Sequence, residues 1–563
     1  MPGAIAALGA LMTGLFLLPV VAGLAGTLLP AFGFLPAAGG HEFSLAPWRE
    51  LFAYPGLRAS LRLTLTTGFA ATLLALGLAA ALCASVQGRA RLRAGEALLA
   101  PLLAAPHASV AIGLAFVLAP SGWAVRLVSP WLTGWSVPPD VATVQDPWGI
   151  ALVLGLLVKE VPFLVLVMLG ALHQIPAAQQ LRVAASLGYS PGTAWTKIIF
   201  PQVYARIRLP VYAVLAYSLS VVDMALVLAP GNPGPLSLVA LRWFTAPDVT
   251  RYLPAAAAAV LQLGLVIAAI ALWRAGEGAA RAIGQRWIMR GARAGACEPG
   301  VQAAGLAAGA TLALGGAALL AMALWSLAST WRFPDALPSH WSLGTWISQS
   351  HSLALPLANT LLLGATTMLA GLILALAWFE ACDRHGRRWN APAINLVCLP
   401  LLAPQIAFLF GLQVPLVRAG LDGTFLAVAW SHLLLVFPYM LIALADPWAA
   451  LDRRYARAAA SLGASPLRIL LAVKLPVLLA PVLRACAVGF AASAAQYLPT
   501  LFAGAGRVPT LATEAIALAS GADRRIAGAF VFLLALAPLL VYLAALAIPA
   551  LAFPARRAPG RRA

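Results

Sequence analysis

Apolar runs close to the length of a bilayer span recur at about residues 8–30, 60–86, 96–119, 148–172, 209–229 and 253–273. A second series follows at about 302–327, 355–379, 392–413, 424–446, 478–502 and 527–553. Some ~20 apolar residues cross the hydrocarbon core as a helix, which satisfies its backbone polar groups within one segment. The pattern predicts an all-α polytopic membrane protein with about twelve transmembrane helices in two series of six. Between the series, Arg274 to Gly300 is rich in Gly, Ala and Arg and reads as a linker. The expected organisation is a six-span unit over 1–280, a cytoplasmic linker over 281–300 and a second unit over 301–563. Met1-Pro-Gly-Ala lacks the basic residues of a secretory leader, so the run from Leu8 to Leu29 reads as an uncleaved first span.

The two series repeat each other. Arg182-Val-Ala-Ala-Ser-Leu-Gly-Tyr-Ser-Pro191 returns 275 residues later as Arg457-Ala-Ala-Ala-Ser-Leu-Gly-Ala-Ser-Pro466, identical at eight of ten positions. Pro201 and Pro476 each follow the glycine, Gly188 or Gly463, by thirteen residues. Leu61-x-x-Thr64-Leu65-x-x-Gly68 matches Leu357-x-x-Thr360-Leu361-x-x-Gly364, and Pro106-His107 with Gly113-Leu114 matches Pro404-Gln405 with Gly411-Leu412. The spacing between matched positions shrinks by about 23 residues after the third span, which places the difference in the connection from Pro120 to Pro147. Internal repetition sets the architecture: two similar units within one chain.

Composition supports the class. The chain is 62% hydrophobic and 10% charged, whereas a soluble domain carries about 25% charged residues. A net charge of +19 would suggest a nucleic-acid partner for a soluble protein, but here the basic residues flank apolar runs. With the N-terminus inside, 25 of the 37 Arg and Lys residues fall in inside segments, 11 in outside segments, and Lys159 within a span. The asymmetry predicts that both termini and both repeated loops are cytoplasmic, so the units are parallel rather than inverted. Cys83, Cys297, Cys382, Cys398 and Cys486 show no metal-ligand spacing, and three of them lie in apolar runs as small hydrophobes. The seven histidines form no HExxH motif, which argues against a membrane-embedded enzyme. None of the three lysines follows a glycine, so no phosphate-binding GxxxxGK[ST] loop exists.

The repeated loop reads as a short helix, a glycine break and a second helix. Ala-Ala-Ser-Leu forms helix readily, Gly188 and Gly463 suit a left-handed turn, and Ser190-Pro191 and Ser465-Pro466 suit an N-cap and first turn. Small residues at Ala184, Ala185, Ala459 and Ala460 would let another surface approach closely. The loop resembles the EAA motif of permease subunits in binding-protein-dependent ABC importers. That motif reads Glu-Ala-Ala, three residues, Gly and a later Pro, between the fourth and fifth spans of a six-span unit. Two fused units resemble the permeases of ferric-iron and thiamine-type importers, with the fold of a type I ABC importer. The resemblance implies that each loop is a coupling helix docking on one of two separate ATPase subunits. It also implies a periplasmic substrate-binding protein, a place in the bacterial inner membrane, and ATP used by the partner subunits with no cofactor or metal held by this chain. The chain departs from the family where Arg182 and Arg457 replace the Glu, and where Val183 replaces the first Ala. The family's glutamate contact therefore does not carry over to these positions.

Polar residues inside spans are costly unless they face a cavity or a partner. Lys159 and Glu160 lie mid-way along the fourth span, about 100° apart around a helix. His107 and Gln405 occupy one position of the repeat, and Asp223 and Gln496 another. These six are candidates for a substrate pathway, with hydrogen bonds between helices as the plainer reading. An ion-coupled secondary transporter with a 6+6 repeat is the alternative function; it would account for the span charges but not for two near-identical loops.

Overall fold

The computed structural model describes residues 13–36, 39–86, 99–293, 295, 298–384, 397, 399–521 and 523–552. Cys297 and Cys398 lie outside these residues. In the first half the main helices are α1 (Leu18–Ala31), α2 (Leu57–Val86), α3 (His107–Leu118), α4 (Ile150–Leu172), α5 (Ala177–Ser186), α6 (Phe200–Ser220), α7 (Asp223–Leu228), α8 (Leu236–Phe244) and α9 (Tyr252–Met289). The second half follows the same order with α10 (Glu298–Leu327), α11 (Ser350–Arg384), α12 (Gln405–Arg418), α13 (Phe425–Ala449), α14 (Arg453–Ser461), α15 (Leu479–Ala494), α16 (Leu498–Gly504), α17 (Leu511–Ala519) and α18 (Arg524–Ala552). A small antiparallel hairpin of β1 (Ala328–Thr330) and β2 (His340–Trp341) lies between α10 and α11.

Among the described residues ten helices are long and apolar enough to cross a membrane, or eleven if one bent pair counts as a single span. The fold class expected from the hydrophobic pattern is the one observed, with differences inside four windows. The third window of each half is interrupted at a proline: helix stops before Pro106 and restarts at His107, and stops before Pro404 and restarts at Gln405. Proline lacks the N–H that would continue the ladder. This leaves α12 at 14 residues, shorter than a full span. The fifth windows break at Val221–Val222 and at Gln496–Tyr497. The stretch expected as a linker is helical through Met289 and again from Glu298.

The halves interlock through their first helices. α1 packs on α12 of the second half, and α10 packs on α3 of the first. The matched glycines of the repeat make these approaches possible. A Cβ on Gly411 would lie 1.9 Å from the Gly23 carbonyl oxygen of α1, and one on Gly113 would lie 2.6 Å from that of Ala318 in α10. The matched threonines also act alike. Thr64 Oγ1 accepts from the backbone N–H of Leu236 at the start of α8 (2.9 Å), and Thr360 Oγ1 accepts from that of Leu511 at the start of α17 (2.9 Å). A helix N-terminus has orphan N–H groups, and a buried one needs such a partner.

Both repeated loops lie at one end of the bundle. The N-terminal end of α10 meets the first loop, and the C-terminal end of α11 meets the second. At the other end of α10 lie Trp325 and, just past β1, Trp331, whose rings are 5.7 and 5.0 Å from the Arg126 guanidinium. Arg126 belongs to the long connection that the second half lacks, and it also donates to the carbonyls of Ser121 (2.9 Å) and Arg332 (2.7 Å).

Candidate functional site: two repeated loops and a polar centre

The two loops share one backbone. α5 and α14 each end in a left-handed glycine, Gly188 at φ +80° and Gly463 at φ +79°. Each end makes the same pair of bonds. Gly188 N and Tyr189 N donate to the carbonyls of Ala185 and Ala184, and Gly463 N and Ala464 N donate to those of Ala460 and Ala459. This is the Schellman closure, which uses carbonyls that the helix end leaves free. Both chains then restart at Pro191 and Pro466, pass through a π-helical turn at Trp195–Ile199 and Leu470–Lys474, and reach Pro201 and Pro476.

The expected serine caps are made in one copy only. Ser465 Oγ accepts from Arg468 N at 3.4 Å, whereas Ser190 Oγ donates to the Thr193 hydroxyl at 2.9 Å. The N–H of Gly192 instead donates to Glu298 Oε2 at 2.8 Å. Arg182 and Arg457 are exposed, with no hydrogen bond or ion pair among the described residues. Ala185 and Ala460 are also exposed and Ala459 is half-buried, but Ala184 packs inward at 2% exposure. Val183 and Leu187 are exposed apolar residues on the first loop, as are Tyr455, Leu462 and Leu467 on and beside the second.

The polar candidates of the spans gather where the helices break. Lys159 is buried, and its ammonium donates to the carbonyls of Leu102 (2.8 Å), Leu103 (3.4 Å) and Ala105 (2.6 Å). These oxygens belong to the helix end that Pro106 interrupts, so Lys159 caps a broken span. At the second break, Gln262 Nε2 donates to the Leu219 carbonyl (3.1 Å) and Ser237 Oγ to that of Val221 (2.8 Å). Interrupted backbone at membrane depth requires such partners. Asp223 begins α7 and accepts from Met224 N (2.9 Å) and Tyr217 Oη (3.2 Å). The Tyr217 ring lies against His107, with centroids 4.7 Å apart. Tyr217 thus joins His107 to Asp223, with Lys159 at the helix end just before His107 and Glu160 next to Lys159 along α4.

In the second half Gln496 Nε2 donates to the His432 carbonyl at 3.0 Å. The His432 ring is held by Ser493 Oγ (2.9 Å) and Thr500 Oγ1 (2.8 Å). Gln405 is half-buried at the start of α12.

The comparison with known proteins is decisive at the level of family. The inner membrane ABC transporter permease protein YnjC of Escherichia coli (strain K12) is 34% identical over 505 residues, 89% of this chain and 89% of the relative. This chain belongs to the ABC transporter permease family. The alignment runs through both halves, so the protein is a fused two-unit permease and a multi-pass inner-membrane transport subunit. The spermidine/putrescine transport system permease protein PotC homolog of Mycoplasma pneumoniae is 28% identical over 192 residues, 33% of this chain and 65% of that protein. No protein-family model matches the chain.

Several residues of this permease carry roles that the sequence reading missed. Tyr217 had no repeated partner to flag it. Glu298 lay inside a presumed linker, and His432 sat singly in an apolar run. Each is legible only through a neighbour far along the chain.

Proposed function

We propose that this permease is the membrane subunit of an importer driven by two copies of a separate ATPase, one docking on each repeated loop. A periplasmic substrate-binding protein would deliver substrate to the opposite face. The observation that carries the reading is the matched pair of Schellman-closed loops at one end of the bundle, the first running straight into its fifth span and the second reaching its own across an 85° bend. A rigid turn into a span converts a push on the loop into a tilt of the wall. In this reading Arg182, Ala184, Ala185, Gly188, Ser190 and Pro201 shape the first coupling element. Arg457, Ala459, Ala460, Gly463, Ser465 and Pro476 shape the second. Ala184 contributes from below, as packing. The asymmetry of basic residues supports cytoplasmic loops and termini. The path is lined by His107, Lys159, Glu160, Asp223, Gln405 and Gln496, with Lys159 and Gln496 also holding its broken helices. The two units cover 1–280 and 301–563. The chain itself needs no cofactor; ATP is used by its partners.

The test is purification of the full chain with its ATPase. Two ATPase copies per chain, and no nucleotide hydrolysis by the chain alone, are expected. Hydrolysis by the isolated chain, or ATP-independent uptake driven by an ion gradient, would overturn the reading.

A further inference from the structure

In the long connection that the second half lacks, and just after it, polar side chains are buried and apolar ones are not. Arg126, Ser129 and Asp146 are buried. Trp131, Leu132, Trp135, Val137, Val141 and Trp148 are exposed, from 42% at Trp135 to 74% at Trp131. A surface turned to water has the reverse pattern. Asp146 accepts from the N–H groups of Trp148 (3.1 Å), Ile150 (2.9 Å) and Ala151 (2.8 Å), so it caps α4 and leaves Asp140 as the one exposed charge between Leu127 and Ile150. The depth of this stretch is fixed by the helices that it joins. α4 ends beside the first repeated loop, so it starts at the opposite end of the bundle. Its 23 residues rise about 34 Å, against a hydrocarbon core of about 30 Å. Trp148 therefore stands at the boundary between acyl chains and headgroups. There the Arg62 guanidinium lies 5.8 Å from its ring, and Arg58 is exposed one turn earlier on α2. Thr143 Oγ1 donates to the Leu118 carbonyl at the end of α3, and Gln145 N to that of Leu228 at the end of α7 (3.1 Å), which holds the stretch against the helix ends.

We propose that residues 127–148 form an interfacial anchor on the leaflet opposite the two repeated loops, with the Trp131, Leu132, Trp135 and Val137 side chains in lipid. The occupant follows from permanence as well as from chemistry. A soluble protein that docks and leaves would return this apolar patch to water in every cycle, and contiguous exposed patches of that kind are rarely tolerated. Lipid covers it at all times. Tryptophan is enriched at the membrane–water boundary because its ring is apolar and its N–H polar. Trp131 Nε1 already donates to the Leu127 carbonyl (2.9 Å), so this ring suits the acyl region without stranding a donor. Arg58 and Arg62 stand at the level of lipid phosphate, where arginine lays its apolar stem along the interface and keeps its charge in the headgroups. The inner side of the anchor is held by protein: Arg126 donates to the Arg332 carbonyl and lies against the Trp325 and Trp331 rings. In the second half, α12 and α13 are joined only by the residues from Ala419 to Thr424, too few for such an element. The permease is thus tied to that leaflet by one of its two units.

The test uses the full chain in lipid nanodiscs without ATPase, so its outcome is independent of the coupling reading. In a background with the five native cysteines replaced by alanine, a nitroxide is attached at Leu132→Cys or Val137→Cys. Ser339→Cys, exposed in the hairpin at the same end of the bundle, serves as the water-facing control. Collision with a water-soluble nickel chelate should be at least about threefold lower at 132 and 137 than at 339, and collision with oxygen, which concentrates in lipid, should be higher. Brominated phospholipid should quench a smaller fraction of the tryptophan emission in Trp131→Leu/Trp135→Leu than in the parental chain. Nickel accessibility at 132 and 137 equal to that at 339 overturns the proposal. So does protection that arises only with a periplasmic binding protein bound, or only in discs that hold two copies of the chain. If the labelled variants do not accumulate, the quenching comparison decides, and equal fractional quenching of parent and variant overturns the anchor.

Discussion

The two repeated loops have the same fold but different surroundings. In the first, Glu298 accepts from Gly192 N, Lys197 Nζ donates to the Ala292 carbonyl (2.6 Å) and lies 4.5 Å from the Trp287 ring, and the Arg293 carbonyl receives Ser190 N. The connection between the halves therefore clasps this loop. Among the described residues the second loop has no such cover. Its brace comes from below, where Lys474 Nζ reaches Glu380 Oε2 (2.6 Å) and Asp383 Oδ2 (2.9 Å) on α11, beside the Trp448 ring. The helices that follow also differ. Residues Pro191–Ser220 pass as one span, whereas Pro466–Val477 and Leu479–Ala494 meet at 85°. Pro481 cannot donate to the carbonyl four residues earlier, and the corresponding residue of the first half is Arg206, which can. The two loops share one backbone, and the internal supports differ around it.

The largest effect should come from the shared feature. Nothing lies within 4 Å of a Cβ built on Gly188 or Gly463, so valine there is opposed by backbone conformation alone, about 1–2 kcal/mol. Gly463→Val should leave the chain inserted and expressed while ATP-driven uptake falls at least about tenfold. Gly188→Val should do the same less severely. Uptake and expression both at the parental level in the double variant would show that these turns do not transmit motion.

The braces should differ next. Lys474→Met takes the buried ammonium from Glu380 and Asp383, leaving them Arg384, Arg453 and Trp448 Nε1 at their more exposed side, and should cost about 2–3 kcal/mol. Lys197→Met loses one carbonyl bond and two ring contacts, to Tyr189 and Trp287, and should cost about 1–2 kcal/mol. Thermal unfolding of the purified chain checks the ranking. Equal losses would mean that the braces are equivalent.

A smaller change separates the loops outright. Glu298→Ala frees Gly192 N, at about 1 kcal/mol. Amide exchange should rise in residues 190–197 and stay unchanged in residues 465–474. A rise in both would show that the loops are mechanically joined.

The mildest test reads accessibility. Cysteines replacing Ser190 and Ser465 should both resist impermeant thiol reagents in intact cells. In inverted vesicles the exposed Ser465 site should react several-fold faster than the half-buried Ser190 site. Labelling of either in intact cells would reverse the orientation.

The repeat was readable because its parts are local. A helix former, a glycine and a Ser-Pro restart specify the turn within ten residues, and both copies adopt it. The stretch from Arg274 to Gly300 is helical through Met289 and again from Glu298, because its glycine and alanine residues extend helices already nucleated in the adjoining spans. Ala184 and Ala185 are neighbours of one residue type, and only the packing beneath the loop turned one inward.

The chain alone determined what depends on near neighbours and on solvent. Runs of apolar residues set the spans, arginine flanks supported an orientation, and repeated short motifs set two units and their turns. The structure decided what depends on residues far apart in sequence. It crossed the first helix of each half onto the other half through Gly113 and Gly411. It assigned Lys159 to the carbonyls of an interrupted helix, and it joined His107 and Asp223 through Tyr217. A buried polar group is defined by the partner that satisfies it, and in a bundle of long helices that partner usually lies on another helix, at a sequence distance that no local pattern records.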